Sequence, residues 1–242
     1  MILTTISSGS SGNCHLLTSD IGETLIIDCG VPVKAIKEAL NWNIMGIQGA
    51  VCTHRHKDHS LSVEKLRSMG IDVFYPSFDL NIGVVNYGSF RVQSFDLTTL
   101  DGKWTHTNAD GSECSCYGFL ISHNEMGRMI YATDTELIKW KFKGINHILL
   151  GVNYDKDLID NEDSAKVNHV YRGHMSIDTA CDFVKSNNSK DLQNVIMCHL
   201  SKNNAEPEAF IKRMKDAVLQ ANVDVAKAGK EWLLQNPNEC SF

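Results

Sequence analysis

The segment Thr53-His54-Arg55-His56-Lys57-Asp58-His59 sets three imidazoles and a carboxylate within six residues. A neutral imidazole offers one lone pair to a metal, and a carboxylate suits the same divalent ions. One cation rarely takes four ligands from so short a loop. Alternation places His54 and His56 on one side, while Asp58 and His59 can turn towards a neighbouring site. The pattern therefore predicts two metals sharing one mouth, and a fold that brings further ligands to it. The preceding Gly49-Ala50-Val51-Cys52 reads as a short buried strand. After the cluster, Leu61, Val63, Leu66 and Met69 fall on one helical face that stops at Gly70. The cluster is thus expected on a strand-to-helix loop, where a rigid scaffold presents chemistry.

This H-x-H-x-D-H run resembles the signature of the metallo-β-lactamase-fold hydrolases, and other segments carry the resemblance along the chain. Tyr131-Ala132-Thr133-Asp134-Thr135 follows an apolar run and looks like the family's strand-end aspartate. Val195-Ile196-Met197-Cys198-His199 ends another apolar run in a histidine. Gly173-His174-Met175-Ser176 looks like the histidine segment of tRNase Z and YycJ/WalJ-type phosphodiesterases, and Ser7-Ser8-Gly9-Ser10-Ser11-Gly12-Asn13 and Asp28-Cys29-Gly30 also look YycJ/WalJ-like. The resemblance implies an α/β fold, a four-layer αβ/βα sandwich. Residues 1–242 are expected to form one domain.

The resemblance also implies a ligand set. Site one takes His54, His56 and a third histidine; site two takes Asp58, His59 and His199; Asp134 spans both. Members of this family usually carry the third histidine a few residues before a strand like 117–121. The ungapped position is Thr99, which cannot replace an imidazole; His106 becomes the candidate if residues 100–103 are an insertion. Asp58 is a further candidate for accepting a proton from the nucleophilic water. By the same resemblance, His174 is catalytic and protonates the leaving alkoxide, a role suited to a group titrating near neutrality. The expected cofactors are two divalent ions, Zn2+ first and Mn2+ as the alternative. Residues 7–13 could give backbone N–H groups to a phosphate, or could form a plain tight turn. Asn153, Tyr154 and Arg172 are weaker candidates for the mouth. His15, His123, His147 and His169 read as structural, and Cys114 and Cys116 read as leading into a strand.

Bulk properties fit one soluble domain. With 43% hydrophobic and 21% charged residues over 242 positions, the chain can bury a substantial core. Of its eight cysteines, Cys29, Cys52 and Cys198 lie in or beside apolar strand-like runs, so free buried thiols are expected. The first six residues lack a basic stretch and read as a strand, not a signal peptide. No apolar run approaches membrane-spanning length. The expected location is the cytoplasm, with no membrane partner, and a homodimer is compatible with the sequence. A net charge of −6 argues against a broad footprint on duplex DNA. Bound metals would still neutralise several acids and admit a phosphate.

Periodicity predicts strands at 2–6, 15–18, 24–28, 50–53, 90–95, 117–122, 128–133, 147–152 and 195–199, and a hairpin of 223–226 with 231–234 about Gly229-Lys230. Helices are expected after Pro32, after a Ser176 cap, and through Phe210, Met214 and Val218. The favoured function is a two-metal phosphodiesterase of nucleic acid, exonuclease-like by resemblance. The alternative is a phosphodiesterase of cyclic nucleotides or a related small signal, of the phage counter-defence type. A non-phosphate metallohydrolase ranks third, since His174 in its G-H-M-S context speaks against it.

Overall fold

The computed structural model describes residues 1–75, 83–104, 106–108, 110, 112–159 and 173–238. Short apolar runs form two facing sheets. The first has the order β15-β1-β2-β3-β4-β5, from β1 (Ile2–Ser7), β2 (Cys14–Thr18), β3 (Thr24–Ile27), β4 (Ile47–Val51), β5 (Val73–Phe74) and β15 (Glu231–Leu233). The second has the order β14-β13-β12-β11-β10-β7-β6. Its strands are β6 (Val84–Tyr87), β7 (Phe90–Asp96), β10 (Tyr117–His123), β11 (Gly127–Ala132), β12 (His147–Gly151), β13 (Asn194–Cys198) and β14 (Asn222–Val225). A two-stranded ribbon, β8 (His106–Thr107) with β9 (Glu113–Cys114), stands beside them.

Three apolar clusters hold the layers together. Leu3, Leu17, Leu25, Ile27 and Val51 of the first sheet pack against Phe90, Phe119, Met129, Tyr131 and Ile196 of the second. On the outer face of the second sheet, Ile130, Ile148 and Val195 meet Ile177, Ala180 and Val184 of α4 (Ile177–Asn187) and Phe210 and Met214 of α5 (Pro207–Lys215). On the outer face of the first, Leu16, Ile26 and Ala50 meet Ile36 of α1 (Val33–Ala39) and Val63 and Leu66 of α3 (Val63–Ser68). Helix, sheet, sheet, helix is the predicted order of layers. Strands buried on both faces, such as β12 and β13, read as continuous apolar runs for that reason.

Three local expectations need correction. Residues 223–226 and 231–234 do not form a hairpin: β14 runs parallel to β13 in one sheet, and β15 pairs antiparallel with β1 in the other. Gly229-Lys230 is a turn between sheets, and its backbone bonds to Thr5 at 2.8 and 3.0 Å. The helix expected over residues 61–69 is shorter, α3 alone, and a separate turn, α2 (Lys57–Ser60), precedes it across exposed Leu61. The last helix stops at Lys215, before Ala217 and Val218.

In the second sheet β11, β12, β13 and β14 are parallel; in the first, β3, β4 and β5 are. The carboxyl ends of both sets meet at one rim, the usual place for a ligand in such sheets. A bond from Tyr117 N to Thr53 O (3.0 Å) stitches the two sheets there.

Candidate metal centre

The histidine loop begins where β4 stops pairing, two residues earlier than expected from the sequence. Cys52 N still bonds Phe74 O (2.9 Å), and Cys52 Sγ donates to His54 O (3.1 Å) as the chain curls away. His56 caps α2 with extended backbone, and Asp58 and His59 lie on that single helical turn. Asp134 and His199 follow β11 and β13, and both take left-handed backbone, with φ of +51° and +55°. Asp28, after β3, does the same at +56°. Non-glycine residues rarely stay there unless surrounding structure holds them, and such strain concentrates at functional sites.

The predicted residues come together. His106 Nε2 lies 2.8 Å from His56 Nδ1, and the ring centroids of His54 and His106 are 4.9 Å apart. Asp134 Oδ2 lies 2.8 Å from His59 Nε2 and 3.9 Å from His54 Nε2. Its other oxygen lies 3.5 Å from His199 Nε2 and 2.9 Å from His174 Nδ1. Asp58 Oδ2 stands 3.4 Å from His59 Nε2 and 3.6 Å from His199 Nε2. The donor atoms form four groups able to hold an ion: His54 with His56 and His106; His54 with His59 and Asp134; Asp58 with His59 and His199; Asp134 with His174 and His199. The enclosed His199 Nε2 has no hydrogen-bond partner among the described residues, and Asp134 Oδ1 has no well-directed one. Two enclosed, unsatisfied donor atoms aimed at one space fit a cation.

Behind this set lies a layer to which the sequence reading gave no role, although Asp28-Cys29-Gly30 carried part of the resemblance. Fully buried Asp28 accepts from His59 Nδ1 (2.7 Å), Thr53 N (2.8 Å), the Thr53 hydroxyl (3.1 Å) and the Tyr131 hydroxyl. These bonds fix the His59 ring and leave Nε2 facing the mouth, the usual arrangement behind a metal-ligating imidazole. The signal was present as a charged residue ending the run Thr24-Leu25-Ile26-Ile27; only its partners were hidden. Asn13 reaches the same ring from residues 7–13, with Nδ2 3.0 Å from His59 Nε2, and the Ser8 hydroxyl accepts from His199 N (2.9 Å). Close approach explains Gly30: a Cβ there would lie 1.7 Å from Asp58 O.

Burial and charge pull these groups apart. Burial and neighbouring His59 push the His54 imidazole well below its usual range. Burial opposes a charge on His59 too, but Asp28 and Asp134 outweigh it and hold the ring protonated. His199 is raised against burial by Asp134 and Asp58, whereas burial takes His106 down to about 4. Burial works against ionising Asp134, yet His199 and His59 hold it well below the carboxylate range. The acids thus favour protons on His59 and His199, and a divalent ion would compete with those protons, since ligating imidazoles must be neutral.

A cavity of about 180 Å³ opens over the cluster, lined by Ser10, His54, His56, Asp58, His106, Asp134, His174 and His199. Asn153 sits beneath its edge and donates to His199 O (2.9 Å); Tyr154 is buried against Ser176 through a backbone bridge. Other histidines serve structure: His15 Nδ1 meets the Thr5 hydroxyl (2.9 Å), His123 Nε2 the Ser89 hydroxyl (2.7 Å), and His147 Nε2 the Met126 carbonyl (3.0 Å). His123 ends β10. Cys114 lies in β9, and Cys116 is buried at the start of β10. His169 and Arg172 fall outside the described residues.

The sequence model of the metallo-beta-lactamase superfamily matches residues 8–72. No curated protein matches the chain. Solved structures match over nearly its whole length. The metallo-beta-lactamase fold protein YhfI of Bacillus subtilis is 15% identical, with a TM-score of 0.70 over 96% of this chain and 98% of that one. A diphosphatase of the PhnP family is 14% identical, with a TM-score of 0.63 over 97% and 98%. Human tRNase Z, short form, is 14% identical, with a TM-score of 0.60 over 97% and 99%. At such identities the likeness shows fold, and the chain has the metallo-β-lactamase fold. That superfamily is hydrolytic and typically binds divalent metals, usually two, a number the histidine–aspartate groups can accommodate. Among the described residues no helix is long and apolar enough to cross a membrane.

Proposed function

We propose that the chain is a two-metal phosphodiesterase acting on nucleic acid. The observation that carries this reading is the placement of Asp134 between two histidine groups, with His174 Nδ1 2.9 Å from one of its oxygens. His54, His56 and His106 would hold one ion and Asp58, His59 and His199 the other, with Asp134 between them. Two such ions would supply Lewis acidity towards a phosphoryl group and a hydroxide at neutral pH. Asp58, partly open to solvent on this wall, accepts a proton from the attacking water. His174, the more exposed partner in its pair with Asp134, donates a proton to the departing alkoxide. Asp28, bonded to the opposite nitrogen, would keep His59 oriented throughout. Two structural relatives, a diphosphatase and a tRNase Z, are consistent with phosphorus chemistry in this fold.

One observation favours the second reading, a cyclic-nucleotide phosphodiesterase: among its described lining residues the cavity has no lysine or arginine, so a compact phosphodiester would meet mainly the metals. Turnover of linear oligonucleotides and cyclic mononucleotides in the same buffer and metal, alongside elemental analysis, decides between them. The expected result is two ions per chain and stepwise release of mononucleotides from single-stranded ends. Good turnover of cyclic substrates with linear ones intact would reverse the assignment, and one ion or none in an active preparation would sink the two-metal site.

A further inference from the structure

Sheet pairing ends just before His199. The last partners of β13 are Gly151 opposite Cys198 on one side and Val225 opposite Met197 on the other. His199 then takes left-handed backbone. Asp28, also left-handed, keeps a main-chain bond from its N to Val51 O (2.8 Å). At His199 both backbone groups go to side chains instead. Its N donates to the Ser8 hydroxyl (2.9 Å), and its O accepts from Asn153 Nδ2 (2.9 Å). A non-glycine residue stays in this region only where its surroundings hold it there.

Asn153 comes to this carbonyl from a clamped backbone. It follows β12 and is only 9% exposed. Asn153 O accepts from Ser201 N, and Asn153 N donates to Met175 O, both at 2.9 Å. Just before it, Val152 N bonds Cys198 O (2.9 Å). The amide reaches the His199 ring as well, with Nδ2 3.3 Å from Nδ1. With Nδ1 against the amide, Nε2 is turned to Asp134 Oδ1 (3.5 Å) and Asp58 Oδ2 (3.6 Å). There it has no hydrogen-bond partner among the described residues. An imidazole fixed from behind in this way offers its open nitrogen to an ion already aimed.

We infer that Asn153 is a positioning residue: by holding the His199 carbonyl it keeps the left-handed turn and aims Nε2 at the second ion. This rests on the two-metal reading for the ion that His199 would hold. His174 lies outside the role. Its segment is held by backbone bonds, Asn153 N to Met175 O and Ile177 N to Tyr154 O (3.0 Å), which a change of the Asn153 side chain leaves in place.

The test is Zn2+ binding to the full chain in competition with a chromophoric chelator, which should resolve two ions in the parent. Asn153→Ala is expected to weaken one of them by about 10–100-fold, the scale of a lost partner behind a ligand. It should be the ion that His199→Ala removes. The other ion, held by groups that share no partner with Asn153, should stay within about twofold. Asn153→Asp keeps the shape but has no N–H for the carbonyl, so it should hold the weakened ion no better than the alanine variant. At saturating zinc, the ratio of rates on bis(p-nitrophenyl) phosphate and on a dinucleotide reads His174, and it should shift by less than about twofold. In proton–nitrogen correlation spectra of the metal-free chain, the His199 ring signals should move in both variants while those of His147 stay in place. Parent affinity for both ions in either variant would overturn the inference. Equal weakening of both ions would overturn it too, since that marks a general loosening. If Asn153→Ala fails to fold, Asn153→Asp decides alone, because it fills the same volume. A parent chain holding one ion or none would defeat the two-metal reading instead, and the His199 ring signals would still decide the role of Asn153.

Discussion

Among the parallel strands β11, β12 and β13, a histidine opens β12 and another follows β13, and these two ends of the sheet are built on opposite rules. At the amino end, His147 Nε2 donates to Met126 O (3.0 Å) and Gln235 O (3.2 Å), and its Nδ1 accepts from Asn194 Nδ2 (3.0 Å). Asn146 beside it bonds Arg128 N (2.9 Å) and Asp191 O (3.2 Å). Every polar group in that knot has a partner, and the ring stays neutral. At the carboxyl end, Asp134 and His199 sit in left-handed backbone, and His199 Nε2 has no hydrogen-bond partner among the described residues. The same sheet thus secures one end and leaves the other strained and polar, as expected where structure is given up for chemistry.

The contrast can be broken first at His174. His174→Ala should slow phosphodiester cleavage by about 10²–10⁴-fold with both metals retained, the range for a lost general acid. The loss should shrink with a nitrophenyl leaving group; an equal loss on both substrates would show that His174 binds or supports instead. At the opposite end, His147→Ala should cost about 3 kcal/mol of stability in denaturant titration, from a cavity and unpaired polar partners. Turnover per folded molecule should be unchanged. A large change in kcat would erase the distinction between the two ends.

Asp28→Asn keeps shape but removes the charge behind His59. It should weaken metal binding by about 10–100-fold in chelator competition, the usual cost of a lost outer partner. Affinity within a factor of two of the parent would mean that packing alone orients the ring. The smallest effect is on pH. Burial holds His147 down to about 4, against about 6.5 when unfolded, so between these values the unfolded state binds the extra proton. Stability from this group is therefore lost as pH falls through 6.5, and the loss levels off below 4. Between pH 7 and 5.5 it amounts to about 1 kcal/mol, read as the difference in metal-free stability between the chain and His147→Gln. A difference that stayed flat or shrank with rising pH would contradict a neutral buried ring.

Residues 54–59 were legible because six neighbours carried all the information, and the apolar runs of β10 to β13 because burial on both faces confines polar residues to the strand ends. The false hairpin at Gly229 has an equally physical origin. Turn chemistry and alternating residues were both present, but the choice between pairing with a neighbour in sequence and pairing with β1 was made by the sandwich. His15 and His147 carried no sequence sign of their partners, which lie 10 and as many as 88 positions away.

The sequence by itself determined which side chains could meet a metal, because donor type and spacing are local properties, and it determined the alternation of strands and helices that makes two sheets. It also left His106 an open candidate against Thr99, since loop lengths do not show which residue a turn brings home. Only the tertiary structure placed His106 Nε2 2.8 Å from His56, set Asp28 behind His59, and turned Asp134 and His199 inward through left-handed backbone. Those arrangements join residues 31 to 50 and more positions apart, so they exist only once the apolar faces of both sheets have closed on each other.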